Sequence, residues 1–122
     1  MTSSARSWAW PPRRLQATLL PVDVIAREFG QAVRRELGDD VKELVLFGSR
    51  ARGDAHEGSD YDVLLVVPAR TRELRDRLLD IEVDFMNRYG ALFATLLRSV
   101  DEWRATAGFP LAINIEREGV PL

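Results

Sequence analysis

The apolar positions of the chain change period several times, and each change marks an element. Val22, Ile25, Phe29, Val33 and Leu37 recur every three or four residues. That spacing puts them on one face of a helix over residues 22–37, which Gly38 is placed to end. Asp39-Asp40 form a turn. Residues 41–47 then predict a strand whose run Leu44-Val45-Leu46-Phe47 has no polar alternation, as in a strand covered on both faces. Residues 48–59 are polar and contain Gly48, Gly53 and Gly58. Residues 60–67 predict a second strand, ended by Pro68. Helical spacing returns over 71–89 with Leu74, Leu78, Ile81, Phe85 and Tyr89 on one face and Glu73 one turn before Arg77. Gly90 stops this helix, and residues 91–98 predict a third strand. Ser99-Val100-Asp101-Glu102 has the pattern of a capping box, so a short helix carrying Trp103 starts there. A last helix is expected over 110–118, stopping at Gly119. The order α-β-β-α-β-α-α predicts an α/β domain with helices packed on a small mixed sheet.

Composition narrows the functions open to such a domain. The 122 residues suit one compact unit. The net charge of -2 hides an asymmetry: residues 1–20 hold Arg6, Arg13 and Arg14 and no acid, leaving 14 basic and 19 acidic residues, a net of -5, in the remainder. An acidic body binds polyanions poorly, so nucleic acid is not expected as a direct substrate, and a phosphate site has to be local and assisted by metal. The absence of cysteine excludes disulfides, zinc-thiolate sites and thiol catalysis, and fits a reducing compartment such as the cytoplasm. No apolar run approaches a membrane span. Gln16, Thr18, Pro21 and Asp23 interrupt the stretch 15–25, so Arg13-Arg14 lacks the apolar core of a twin-arginine signal. Residues 1–20 read as a flexible tail and 21–122 as the domain. Trp8 and Trp10 are unusual in a tail: they dock on the domain or on a partner, or the true start lies further in.

The chemistry is concentrated between the first two strands, in Gly48-Ser49-Arg50-Ala51-Arg52-Gly53-Asp54-Ala55-His56-Glu57-Gly58-Ser59-Asp60-Tyr61-Asp62. Asp60 and Asp62 are two apart at the start of a strand, so their side chains leave one face, with Cα atoms roughly 6.5–7 Å apart. A strand does not favour paired acids, and their charges repel. A divalent cation removes the conflict, and Mg²⁺ takes carboxylate and phosphate oxygens. Gly48 permits a sharp turn and close approach to a ligand. Ser49 offers a hydroxyl and an N–H. Arg50 and Arg52 are candidates for the β- and γ-phosphates. The bland reading is a solvated loop followed by a capping aspartate.

Gly-Ser, ten residues, then Asp-x-Asp resembles the signature of the DNA polymerase β-like nucleotidyltransferase superfamily. Phe47-Gly48-Ser49-Arg50-Ala51-Arg52-Gly53 with Ser59-Asp60-Tyr61-Asp62-Val63-Leu64 is similar to its small prokaryotic MNT branch. Ile115-Glu116-Arg117-Glu118-Gly119-Val120 looks like the end of many such proteins. The resemblance implies a minimal, palm-like nucleotidyltransferase fold and a nucleoside triphosphate, ATP above all, bound with two Mg²⁺ ions. It implies attack by a hydroxyl on the α-phosphorus with loss of pyrophosphate. Gly48 and Ser49 would hold the triphosphate, while Asp60 and Asp62 would bind metal and act in catalysis. Many MNT proteins are antitoxins of HEPN toxins, and some add AMP to a toxin tyrosine.

The superfamily usually carries a third carboxylate on a later strand. Here the corresponding Ala91-Leu92-Phe93-Ala94-Thr95-Leu96-Leu97-Arg98 has no acid, and Thr95 is its only neutral polar residue. Asp84 precedes this strand on a helix, while Asp101 and Glu102 follow at a helix start. Three functions therefore compete: nucleotidyl transfer to a partner protein, neutralisation of a partner by contact alone, and transfer to a small molecule such as an aminoglycoside. The last lacks a second domain to enclose the substrate. The single His56 is expected to be solvated, the arginines of 70–77 to form a solvated face, Trp103 and Phe109 to sit in a core or interface, and Tyr61 to pack on the face opposite the acids.

Overall fold

A computed structural model describes residues 23–53 and 59–122. The expected tail at 1–20 with Trp8 and Trp10, the first turn position Val22, and His56 lie outside the described residues. Helix α1 (Val24–Leu37) begins where Asp23 caps it, one carboxylate oxygen accepting from the N–H groups of Ile25 at 2.7 Å and Ala26 at 3.4 Å. It ends at Gly38, whose φ is 55°. A 3-10 turn (Gly38–Asp40) leads to β1 (Glu43–Phe47), and a single helical turn, α2 (Ser49–Arg52), follows Gly48 directly. Then come β2 (Tyr61–Val67), α3 (Arg72–Tyr89), β3 (Phe93–Ser99), α4 (Val100–Ala105), α5 (Pro110–Glu118) and β4 (Val120–Pro121). Thr71 caps α3 through the N–H of Leu74, and Ser99 and Glu102 form the complete capping box of α4.

The sheet order is β3-β2-β1-β4. β1 runs antiparallel to β2 and β4, while β2 and β3 are parallel and joined through α3, so the sheet is mixed as expected. Helices cover both faces. Phe29 and Val33 of α1 and Leu78 and Phe85 of α3 pack with Val63, Leu65 and Phe93 on one side. Trp103, Ala112 and Ile115 of α4 and α5 pack with Val45, Leu64 and Val66 on the other. This double cover explains the unbroken apolar runs of β1 and β2. It also fixes direction at the entry of β2. Tyr61, Val63 and Leu65 face α1 and α3, so Asp62 shares the α4–α5 face with Leu64 and Val66.

Two elements stand outside the predicted order. The first is α2. The second is β4, where Val45 pairs with Pro121 and Leu46 with Val120. Two residues are too few to show alternation. Their place is secured by neighbours instead: Leu122 N–H donates to the Leu44 carbonyl at 2.9 Å, and Arg34 donates to the Leu122 carbonyl at 2.8 and 3.2 Å. Trp103 is core, whereas Phe109 is 62% exposed. No described helix is long and apolar enough to cross a membrane.

Candidate nucleotide and metal site

The antiparallel register Phe47↔Asp62 brings the two halves of the motif to one end of the sheet. Gly48, next after Phe47, lies against the Asp62 side chain. A Cβ built on Gly48 would stand 2.5 Å from Asp62 Oδ2, and the glycine has φ 79° and ψ -159°. Only glycine occupies that backbone region freely. The pairing of Gly48 with the second aspartate is therefore a packing requirement, and the turn between them is closed by Ala51 and Arg52 N–H groups donating to the Gly48 carbonyl at 3.1 Å each. Ser49 opens α2 beside this contact.

Asp60 is exposed and Asp62 half-buried. Burial, followed by the charge of Asp60, pushes the Asp62 carboxyl above its ordinary range, with Arg52 opposing the shift. The protein alone leaves that repulsion standing. Two neighbouring carboxylates, one of them destabilised as an anion, fit a divalent ion that takes its remaining ligands from phosphate and water. Among the described residues there is no group of three or more histidine, cysteine or acidic side chains placed to hold a metal without such help.

The neighbouring strand does not add an acid. Asp62 pairs with Ala94, which is exposed, so a methyl group stands where a third carboxylate would flank the pair. Among the described residues, three further acids of the helices flanking β3 have surroundings of their own. Glu82 of α3 is half-buried on the opposite side of the sheet and is raised chiefly by burial. It faces Thr95, whose buried hydroxyl oxygen has no hydrogen bond of ordinary geometry. Asp84 accepts from Arg88. Glu102 is held down to about 2 by Arg70 and by the backbone N–H of Ser99.

The two candidate arginines take different sides. Arg52 influences Asp62 and pairs with Glu118 at 3.1 Å. Arg50 lies over the Tyr61 ring, 4.3 Å from its centroid, on the face away from the acids. Its Nε and Nη2 donate to the Ser59 carbonyl at 3.2 and 3.0 Å, and its Nη1 to Asp23 at 3.4 Å. Tyr61 is buried, as its position between the aspartates requires. Its hydroxyl donates to Asp23 at 2.8 Å, and burial together with that carboxylate pushes it up to about 12. Sequence reasoning missed Asp23 as a neighbour of the site. Its only signal was an aspartate ahead of an apolar helical period, which announces a cap.

Residues 26–103 match the family model described as "Nucleotidyltransferase domain". Three proteins of Methanocaldococcus jannaschii, each named "Putative protein adenylyltransferase", are similar. One is 40% identical over 76 residues, 60% of this chain and 52% of that protein, so the match spans about half that relative's length. Another is 28% identical over 93 residues, covering 76% of this chain and 89% of the relative. A crystal structure described as "a putative nucleotidyltransferase from Sulfolobus solfataricus" superposes with a TM-score of 0.49 at 18% identity, covering 93% of this chain and 89% of that one. The family match takes in β1, the Gly48-Ser49 turn, both aspartates and all of β3, and on that ground the chain belongs to the nucleotidyltransferase domain family of the polymerase β superfamily.

Proposed function

We propose that this domain binds a nucleoside triphosphate with Mg²⁺, ATP above all, and transfers the nucleotidyl group to a hydroxyl on a partner protein, a HEPN-type toxin for which it acts as antitoxin. The observation that carries the reading is the contact of Gly48 with the Asp62 carboxylate. A glycine turn suited to phosphate oxygens thus lies against a carboxylate whose burial and repulsion from Asp60 are offset only in part by Arg52. Gly48 and Ser49 hold the triphosphate, Arg52 adds positive charge on the same side, and Asp60 and Asp62 hold metal. When bound, Mg²⁺ would neutralise charge on the entering and leaving oxygens. The partner's hydroxyl oxygen forms a bond to the α-phosphorus, the bond from that phosphorus to the bridging oxygen breaks, and pyrophosphate leaves. With Ala94 beside Asp62, the hydroxyl proton passes to water. The relatives' names speak of protein adenylylation, which supports a protein as acceptor.

Ala94 also favours a second reading, in which the domain holds nucleotide and neutralises its partner by contact, without turnover. Incubation with α-labelled ATP, Mg²⁺ and a HEPN-type toxin separates the two. Label on the partner is expected. An unlabelled partner whose toxicity is still suppressed would establish the contact reading. Replacement of both Asp60 and Asp62 by Ala should abolish Mg-ATP binding, and affinity that survives it would mean that the site lies elsewhere.

A further inference from the structure

We propose that Arg50 is a positioning residue: with Asp23 and Tyr61 it forms a clamp behind β2 that sets the direction of Asp60 and Asp62, and it does not touch the triphosphate. The inference rests on the proposed Mg-nucleotide site and assigns work to residues outside it. Three observations combine. The fork of Arg50 takes the Ser59 carbonyl with two donors, which fixes the peptide immediately before Asp60. Its flat face covers Tyr61, which stacks on Phe93 from the other side at 4.4 Å between centroids. Asp23 completes the arrangement by accepting from Tyr61 and Arg50 through one oxygen while its other oxygen caps α1.

Tyr61 lies between the two acids in sequence, and consecutive strand residues point to opposite faces. Holding Tyr61 from behind therefore holds Asp62 in front, and the hold on the Ser59 carbonyl fixes the peptide that leads into Asp60. The same contacts tie residue 50 to residue 59. A guanidinium suits this use because it is a planar fork with a stacking face. Lysine is a point charge and supplies neither. Arg50 has its donors and its face engaged already, with 19% of its side chain exposed, whereas Arg52 lies on the acid side.

The test is calorimetric titration of the full chain with ATP, in excess Mg²⁺ and again in EDTA, for Arg50→Met, Arg50→Lys, Tyr61→Phe and Asp23→Asn. Disturbing groups that orient metal ligands lowers affinity by about 10- to 100-fold. Arg50→Met is expected to lose that much in Mg²⁺ while its weak affinity in EDTA stays that of the parent. Arg50→Lys is not expected to rescue, and Tyr61→Phe should show a smaller loss of the same metal-dependent kind. An equal loss with and without Mg²⁺, rescued by Lys, would make Arg50 a direct phosphate ligand and overturn the proposal. So would unchanged Mg-ATP affinity in Arg50→Met. If Arg50→Met fails to fold, Tyr61→Phe and Asp23→Asn decide by the same comparison. A parent protein that binds no Mg-ATP at all overturns the site reading instead, which is a distinct result.

Discussion

Replacing Gly48 by Ala tests the contact on which the site depends, and the structure supplies its own control. Gly48 and Gly53 both have positive φ, 79° and 84°. They differ in everything else. Gly53 has ψ 9° and no atom of the described residues within 4 Å of an added Cβ, so against those residues Gly53→Ala meets only the left-handed backbone cost of about 1–2 kcal/mol. Gly48 has ψ -159°, in the region that side chains avoid, at a cost of about 1–3 kcal/mol. Its added Cβ also meets Asp62 Oδ2 at 2.5 Å, and pushing that carboxylate off its rotamer adds about 0.5–1.5 kcal/mol. Gly48→Ala should thus cost about 2–4 kcal/mol, each kcal/mol lowering Tm by about 4–8 °C for a domain near this size.

The clash component can be isolated. With Asp62→Ala the oxygen is gone and the nearest remaining atom, the Cβ at position 62, is 3.4 Å away, an ordinary contact. In a double-mutant cycle followed by urea denaturation, Gly48→Ala should be milder in the Asp62→Ala background by about 0.5–1.5 kcal/mol. Mg-ATP affinity should fall with Gly48→Ala and persist with Gly53→Ala. Equal stability losses at the two glycines, no coupling to position 62, and retained Mg-ATP binding in Gly48→Ala would refute the reasoning.

Further outcomes follow from the core, the clamp and the third strand. Phe29 lies flat on Phe93 at 3.9 Å and edge-on to Phe85 at 5.4 Å, so Phe29→Ala should cost about 3–5 kcal/mol in urea denaturation and leave little folded protein. Alkaline titration of phenolate absorbance in a Tyr89→Phe background should show Tyr61 ionising near 12. Because its folded pKa lies above the ordinary 10.0, the stabilisation from the Tyr61 hydroxyl is complete below pH 10 and is lost as pH rises through about 12; Asp23→Asn should lower that upper limit. Ala94→Asp places a carboxylate beside Asp62 and should raise label transfer to the partner by about tenfold or more, general bases contributing that much and beyond; unchanged transfer would mean that the missing acid does not limit the reaction.

The elements legible in the sequence were those that carry a period or a chemical cap. Helix α3 could be read from Leu74, Leu78, Ile81 and Phe85, and α4 from Ser99 and Glu102, because amphipathic spacing and capping are properties of neighbouring residues. Strand β1 could be read as doubly covered because its apolar run does not alternate. What was not legible depends on contacts distant in sequence. β4 has two residues and is placed by Leu44 and Arg34, far upstream. Helix α2 is one turn, too short for any period to appear.

The site divides along the same line. The sequence pattern put the two aspartates at the entry of the second strand, where the structure has Asp62 in β2 and Asp60 just before it, and Gly48 against Asp62 follows once the register is known. The arginines could not be sorted, since Arg50 and Arg52 are both basic, both next to the glycine turn, and two residues apart. In a strand, residues two apart would share a face. In α2 they are a little over half a turn apart, and one meets Tyr61 and Asp23 while the other meets Glu118. The short helix is therefore what sends Arg50 to Tyr61 and Asp23 and Arg52 to Glu118. It also explains why the motif needs a glycine at its first position. Gly48 has to end β1, start α2 and admit the Asp62 carboxylate within one residue, and no side chain leaves room for all three.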